Sequence, residues 1–149
     1  MMKKILQACI LAGSLVFVAQ SGAAEPDTKT GDTRIKVDLP DMMKTHMLGN
    51  MRDHLQALSE IQAALAQGQL DKAGDIAESR IGMSSLVSHN AAHMAPFMPQ
   101  GMQEIGTEMH HAPSRFAMVA SEGDLPRALD ALSKITAQCV ACHMSYRVN

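Results

Sequence analysis

Tryptophan is missing from this 149-residue chain, tyrosine occurs once and phenylalanine three times. Large rings usually supply much of a core's apolar area, so something else must fill this interior. Cysteine is nearly as scarce, with three residues, too few for a small scaffold held by disulfides. Neither sign of charge dominates: 13 Lys and Arg against 15 Asp and Glu give a net charge of −2. A chain without a basic surplus is not built to grip nucleic acid through its phosphates. Six prolines and ten glycines exclude collagen-like and low-complexity chains. With 46% hydrophobic and 19% charged residues, the chain is too apolar for disorder. Its length suits one domain, typically roughly 100–200 residues. What it holds in excess is methionine, 13, and histidine, 7.

Residues 1–24 read as a secretory signal. Lys3 and Lys4 give a positive start, residues 5–18 are an apolar run, and Ser21, Gly22, Ala23 and Ala24 offer small side chains for cleavage. A membrane span needs about 20 apolar residues, so the run is short for an anchor. Cleavage after Ala24 would remove Lys3, Lys4 and Cys9, leaving a net charge of −4 and two cysteines, Cys139 and Cys142. The expected location is the periplasm, with no membrane span in the mature chain.

Residues 25–38 are polar, include Pro26 and Gly31, and lack periodicity, so a flexible lead is expected there. Residues 39–149 should form the folded domain. After Pro40, Met43, Met47, Met51, Leu55, Leu58, Ile61 and Leu65 recur at helical spacing. Gly68 should stop this helix, and Asp71 is the expected N-cap of a second one carrying Ala73, Ile76, Ala77 and Ile81. Residues 89–101, with Pro96 and Pro99, read as the longest connection. A third helix is expected over residues 99–120, with Met102, Ile105, Met109, Ala112, Phe116 and Val119 inward and a bend at Pro113. Glu122, Gly123 and Asp124 provide a stop, a turn and a cap before the fourth helix, where Pro126 suits the first turn. No strand pattern competes. The prediction is an all-α fold, an antiparallel four-helix bundle.

In the last helix Leu125, Leu129, Leu132, Thr136, Cys139, His143 and Tyr146 alternate steps of four and three. They predict one stripe facing the core. Polar-capable residues at the end of such a stripe call for an explanation in chemistry. Cys139-Val140-Ala141-Cys142-His143 supplies it, because this is the C-x-x-C-H haem attachment pattern. Two thiols so spaced can add across the two vinyl groups of a porphyrin, and the adjoining imidazole is the usual proximal iron ligand. Chance would produce the pattern in a chain of this composition about three times in a thousand. A thioredoxin-type pair would open a helix near a βαβ unit, and zinc would lack a fourth ligand.

The ending from Cys139 to Arg147, with Tyr146 and Arg147 after the motif, resembles the class II c-type cytochromes, the cytochrome c-prime family. The likeness extends to the signal, the helix order and the C-terminal position of the motif. It implies a four-helix bundle with one haem c bound covalently through Cys139 and Cys142. By the same resemblance His143 is the axial ligand and Arg147 lies near the proximal side of the haem. Family members either leave the sixth iron position open or fill it with a methionine of the first helix. Met47, Met51 and His54 share one helix face here. Met51 is the expected sixth ligand, with Met47, His54 or an open site as the alternatives. The function implied is one-electron transfer without substrate turnover, the redox partner being unidentified. A homodimer through the first two helices follows by resemblance alone.

Two other functions compete. A five-coordinate iron would bind nitric oxide or carbon monoxide. Alternatively, the remaining soft donors suit copper: His89 and His93 stand four apart, followed by Met94, Met98 and Met102, and His110 and His111 follow Met109. Asp53, Arg52, Glu104 and Glu108 read as solvated helix faces, and no arrangement for hydrolysis stands out.

Overall fold

The computed structural model describes residues 31–148. The expected signal segment and residues 25–30 of the expected lead lie outside the described residues. In chain order the protein forms strand β1 (Ile35–Lys36) and helices α1 (Asp41–Ala66) and α2 (Leu70–Arg80). A 3-10 turn (Met83–Ser85), helix α3 (Ala91–Met94) and a second 3-10 turn (Ala95–Phe97) come next. Helices α4 (Gln100–Ala120) and α5 (Leu125–Ser145) and strand β2 (Tyr146–Arg147) complete it. The described chain is therefore mostly helical, with no closed sheet.

Local chemistry sets the helix boundaries. Gly68 adopts a left-handed φ of +71° after α1, and its amide reaches the Leu65 carbonyl while that of Gln69 reaches Ala64. This pair of reversed bonds satisfies the last carbonyls of α1. It also leads the chain straight into α2, so Gln69 occupies the N-cap and Asp71 falls in the first turn instead of capping it. Before α5 the Asp124 carboxylate accepts the Arg127 amide at 3.0 Å, and Pro126 sits in the first turn, as the sequence predicts. Helix α4 continues through a buried Pro113.

Helix α1 packs on α2, α2 on α4, and α4 on α5. All four contribute to one core around Phe116, Ile61, Ile81 and Ile135, each at most 1% exposed. Alanines fill the helix contacts: Ala57 and Ala64 on α1, Ala73 and Ala77 on α2, Ala128 and Ala131 on α5. Small side chains let helix axes approach closely. At Gly74, a Cβ would meet the Ala117 backbone at 3.3 Å, which shows how near α2 lies to α4.

That alanine packing corrects the expected stripe on α5. The inward line is Ala128, Leu132 and Ile135, continued by the half-buried Cys139 and Cys142. Leu125 and Leu129 are 38% and 49% exposed, and His143 is exposed. Close approach to α4 favours the alanine side of α5 over the leucine side. Helix α1 is turned in the same way, with His54 and Ala57 inside and Leu55 70% exposed.

The expected flexible lead is also corrected over residues 32–38. Ile35 and Lys36 pair in parallel with Tyr146 and Arg147, and the Val37 amide reaches the Arg147 carbonyl at 2.8 Å. Val37 is 3% exposed. The missed strand is two residues long, too short for a period-two pattern to show. It ties the start of α1 to the end of α5. A second core forms at this end from Val37, Met47, Met94 and Met102, with Leu39, Met98, Cys142, Tyr146 and Val148 packed against it.

Candidate functional site

Cys139, Cys142 and His143 occupy the last two turns of α5. Spacings of three and four bring them to one side of the helix. Both thiols are free, and Cys139 donates to the Ile135 carbonyl at 3.6 Å between sulfur and oxygen. Burial pushes both thiol pKa values up, and the neighbouring Cys139 adds to the rise at Cys142. They therefore stay protonated at neutral pH, unlike the lowered thiolate of a redox-active pair. The His143 carbonyl accepts from Arg34 at 3.4 Å, while its imidazole stands in solvent. Cys142 packs into the methionine-lined cluster, so the motif has one wet and one apolar side.

Of the candidates for a sixth ligand, Met47 is buried in the cluster that Cys142 packs against. Met51 is half-buried and belongs to neither core. His54 is buried one turn beyond Met51. Of these three, Met47 shares a cluster with a residue of the motif. Arg147 lies in β2 with its side chain 8% exposed, its Nε 3.6 Å from the Asp32 carboxylate. That carboxylate is held down to a pKa of about 2, chiefly by hydrogen bonds from Arg34. Two shallow grooves, along Pro126, Asp130 and Lys134 and along Gln100, Glu104 and Glu108, do not border the motif.

The structure also assembles a group that sequence spacing did not. His54 of α1, His89 of the connection and His110 of α4 are each at most 7% exposed. Their ring centroids stand 4.8 Å (His54 to His89), 5.3 Å (His89 to His110) and 6.3 Å (His54 to His110) apart. His93 and His111, the partners that adjacency had suggested for His89 and His110, are exposed. Asn90, in a left-handed conformation with φ +55°, separates His89 from His93. Burial is the main cause lowering all three imidazole pKa values, His54 to about 4. A usable signal was the seven-residue step from Met47 through His54 to Ile61, two turns apart each time, with all three buried.

Hydrogen bonds orient two of the rings. Ser85 donates to the Gly82 carbonyl at 2.7 Å, so its oxygen is left to accept from His89 Nδ1 at 3.2 Å. His110 Nδ1 donates to the Ile81 carbonyl at 2.6 Å. Each neutral ring then keeps its lone pair on Nε2. The His54 Nε2 is buried without a partner. Beside it, Arg80 joins α2 to α1 through Asp53, at 3.2 Å from Nε, and Glu60, at 2.6 Å. Among the described residues, no group of three or more His, Cys, Asp or Glu is placed to hold a metal ion.

Gly82 is the pivot of this arrangement. A Cβ there would lie 2.8 Å from the Glu78 carbonyl and 2.9 Å from its Cα. Gly82→Ala should displace the turn that carries Ser85 and His89 and destabilise the protein by about 1–3 kcal/mol. Urea unfolding measures this, and an unchanged midpoint would show that the turn adapts freely.

The chain matches no protein-family model, no curated protein and no solved structure. Among the described residues no helix is long and apolar enough to cross a membrane.

Proposed function

We propose that this protein is a periplasmic monohaem c-type cytochrome of the class II kind, an antiparallel four-helix bundle that carries single electrons. The observation that carries the reading is the C-x-x-C-H group on one side of α5, with both thiols free beside an apolar methionine cluster. Cys139 and Cys142 would hold the porphyrin as thioethers, and His143 would present its imidazole to the iron from the same helix. The haem, when bound, supplies the one-electron couple. The chain excludes water with Val37, Met94, Met102 and Tyr146, and an apolar surround with a thioether ligand raises a haem potential. The burial of Met47 in the cluster against which Cys142 packs supports it as sixth ligand ahead of Met51.

Pyridine haemochrome analysis of the exported protein should give one covalent haem per chain, and its absence overturns the reading. A low-spin spectrum with a methionine-to-iron charge-transfer band is expected, and Met47→Ala should convert it to high spin. Conversion by Met51→Ala alone would restore the ligand first expected from spacing. High-spin ferric iron in the unaltered protein would point to gas binding instead.

A further inference from the structure

We propose that residues 32–38 form a strap that opens and closes on its own, without unfolding of the helices, and so governs access to the Cys142 sulfur. The proposal does not rest on the haem reading, since it concerns what can reach a free thiol and not what that thiol carries. Three observations support it together.

The first is what the strap covers. Val37, 3% exposed, is a buried member of the second core, and Cys142 packs against that core. Cys139, one turn earlier, belongs to neither core and donates to the Ile135 carbonyl of its own helix. Release of the strap therefore uncovers one thiol of the pair and leaves the other as it was. The second is how the strap is held. A two-residue pairing with β2, the Val37 amide on the Arg147 carbonyl, and one buried valine fasten it. The ion pairs of Asp32 with Arg34 at 2.7 Å and of Lys36 with Asp38 at 2.9 Å lie within the strap and survive its release. Arg34 and Asp32 reach the His143 carbonyl and Arg147 from partly exposed positions, where water competes for the same groups. The third is the opposite side of β2. A Cβ on Gly101 would meet the Tyr146 hydroxyl at 2.6 Å, so β2 leans on the first turn of α4 and keeps that support when the strap leaves.

Local openings of this kind cost less than global unfolding and occur while the rest of a protein stays folded. A segment with one buried side chain and a short pairing belongs at the low end of that range. Residues 37–40 form neither helix nor strand before α1 begins at Asp41, and they supply the hinge. Burial also raises the Cys142 pKa, which protects the sulfur further because the thiolate is the reactive form. Anything that bonds to Cys142 must then reach it while the strap is open, and closure comes afterwards.

The experiment uses the chain produced in haem-deficient cells and kept reduced, so that both thiols are free whether or not the haem reading holds. Cys139→Ser leaves Cys142 to be alkylated by iodoacetamide, Cys142→Ser leaves Cys139, and mass spectrometry of peptides locates the label. When closing outpaces alkylation, the rate reports the open fraction. Cys142 should react at least 10-fold more slowly than in the urea-unfolded chain. Its rate should change little with urea below the unfolding transition, because a strap exposes little surface. Val37→Asp should raise the Cys142 rate at least 10-fold and leave the Cys139 rate within twofold, with helix content checked by circular dichroism. If Val37→Asp does not fold, Val37→Ala carries the same reading with an acceleration of at least threefold. Unfolded-like alkylation of Cys142 in the unaltered strap, a urea dependence as steep as that of global unfolding, equal acceleration of both thiols, or no acceleration in a folded Val37 variant would each overturn the proposal.

Discussion

Replacing both Cys139 and Cys142 by serine should eliminate covalent haem from the exported protein, while His143→Ala should leave the haem attached and change its spectrum. The two outcomes separate attachment from ligation. Thioether bonds require sulfur, and serine oxygens at the same half-buried positions cannot form them. His143 is exposed near the end of α5, so its loss should remove the proposed iron ligand without disturbing the core. Single substitutions should leave one thioether and a shifted haemochrome band. Mass spectrometry of the intact chain distinguishes the three cases. Unchanged haem in the double variant would detach the motif from the function altogether.

Acidification should cost the protein nearly as much as a severe core mutation. His54 titrates at about 4 in the folded chain against an ordinary 6.5, because burial disfavours its charged form and His89 and His110 oppose a further positive charge. Between those two values the unfolded chain takes up a proton that the folded chain refuses. Stability is therefore highest above pH 6.5 and falls progressively toward pH 4. The loss from His54 alone is about 3 kcal/mol. His89 and His110 are shifted in the same direction and add to it. Small domains have on the order of 5–15 kcal/mol in total, so the urea midpoint should drop markedly between pH 7 and pH 4.5. His54→Leu should flatten that dependence and, by removing an orphaned polar atom, leave stability at pH 7 equal or higher. A midpoint independent of pH would show that water reaches the rings.

Much of the architecture could be read along the chain. Pro40, Gly68, Gly123 and Asp124 act within a few residues of themselves, and the helices they bound begin and end where those residues predict. The placement of the C-x-x-C-H group on one helix was equally legible, since it depends on local spacing alone. The inward faces of α2 and α4 were legible too, but the rotation of α1 and α5 about their axes was not. Leucine spacing pointed Leu125, Leu129 and His143 inward, whereas the alanines of α5 took the contact with α4. The same rotation buries Met47 in the cluster against which Cys142 packs and leaves Met51 half-buried outside it.

The scarcity of aromatic rings, the helical periodicity and the terminal cysteine pair belong to the sequence alone, because each depends on residue identity and short-range order. The pairing of residues 35–36 with 146–147 and the meeting of His54, His89 and His110 were decided by tertiary structure. These residues lie far apart in the chain. Only the packing of α1, α2 and α4 around a shared core fixes which of seven histidines come within reach of one another.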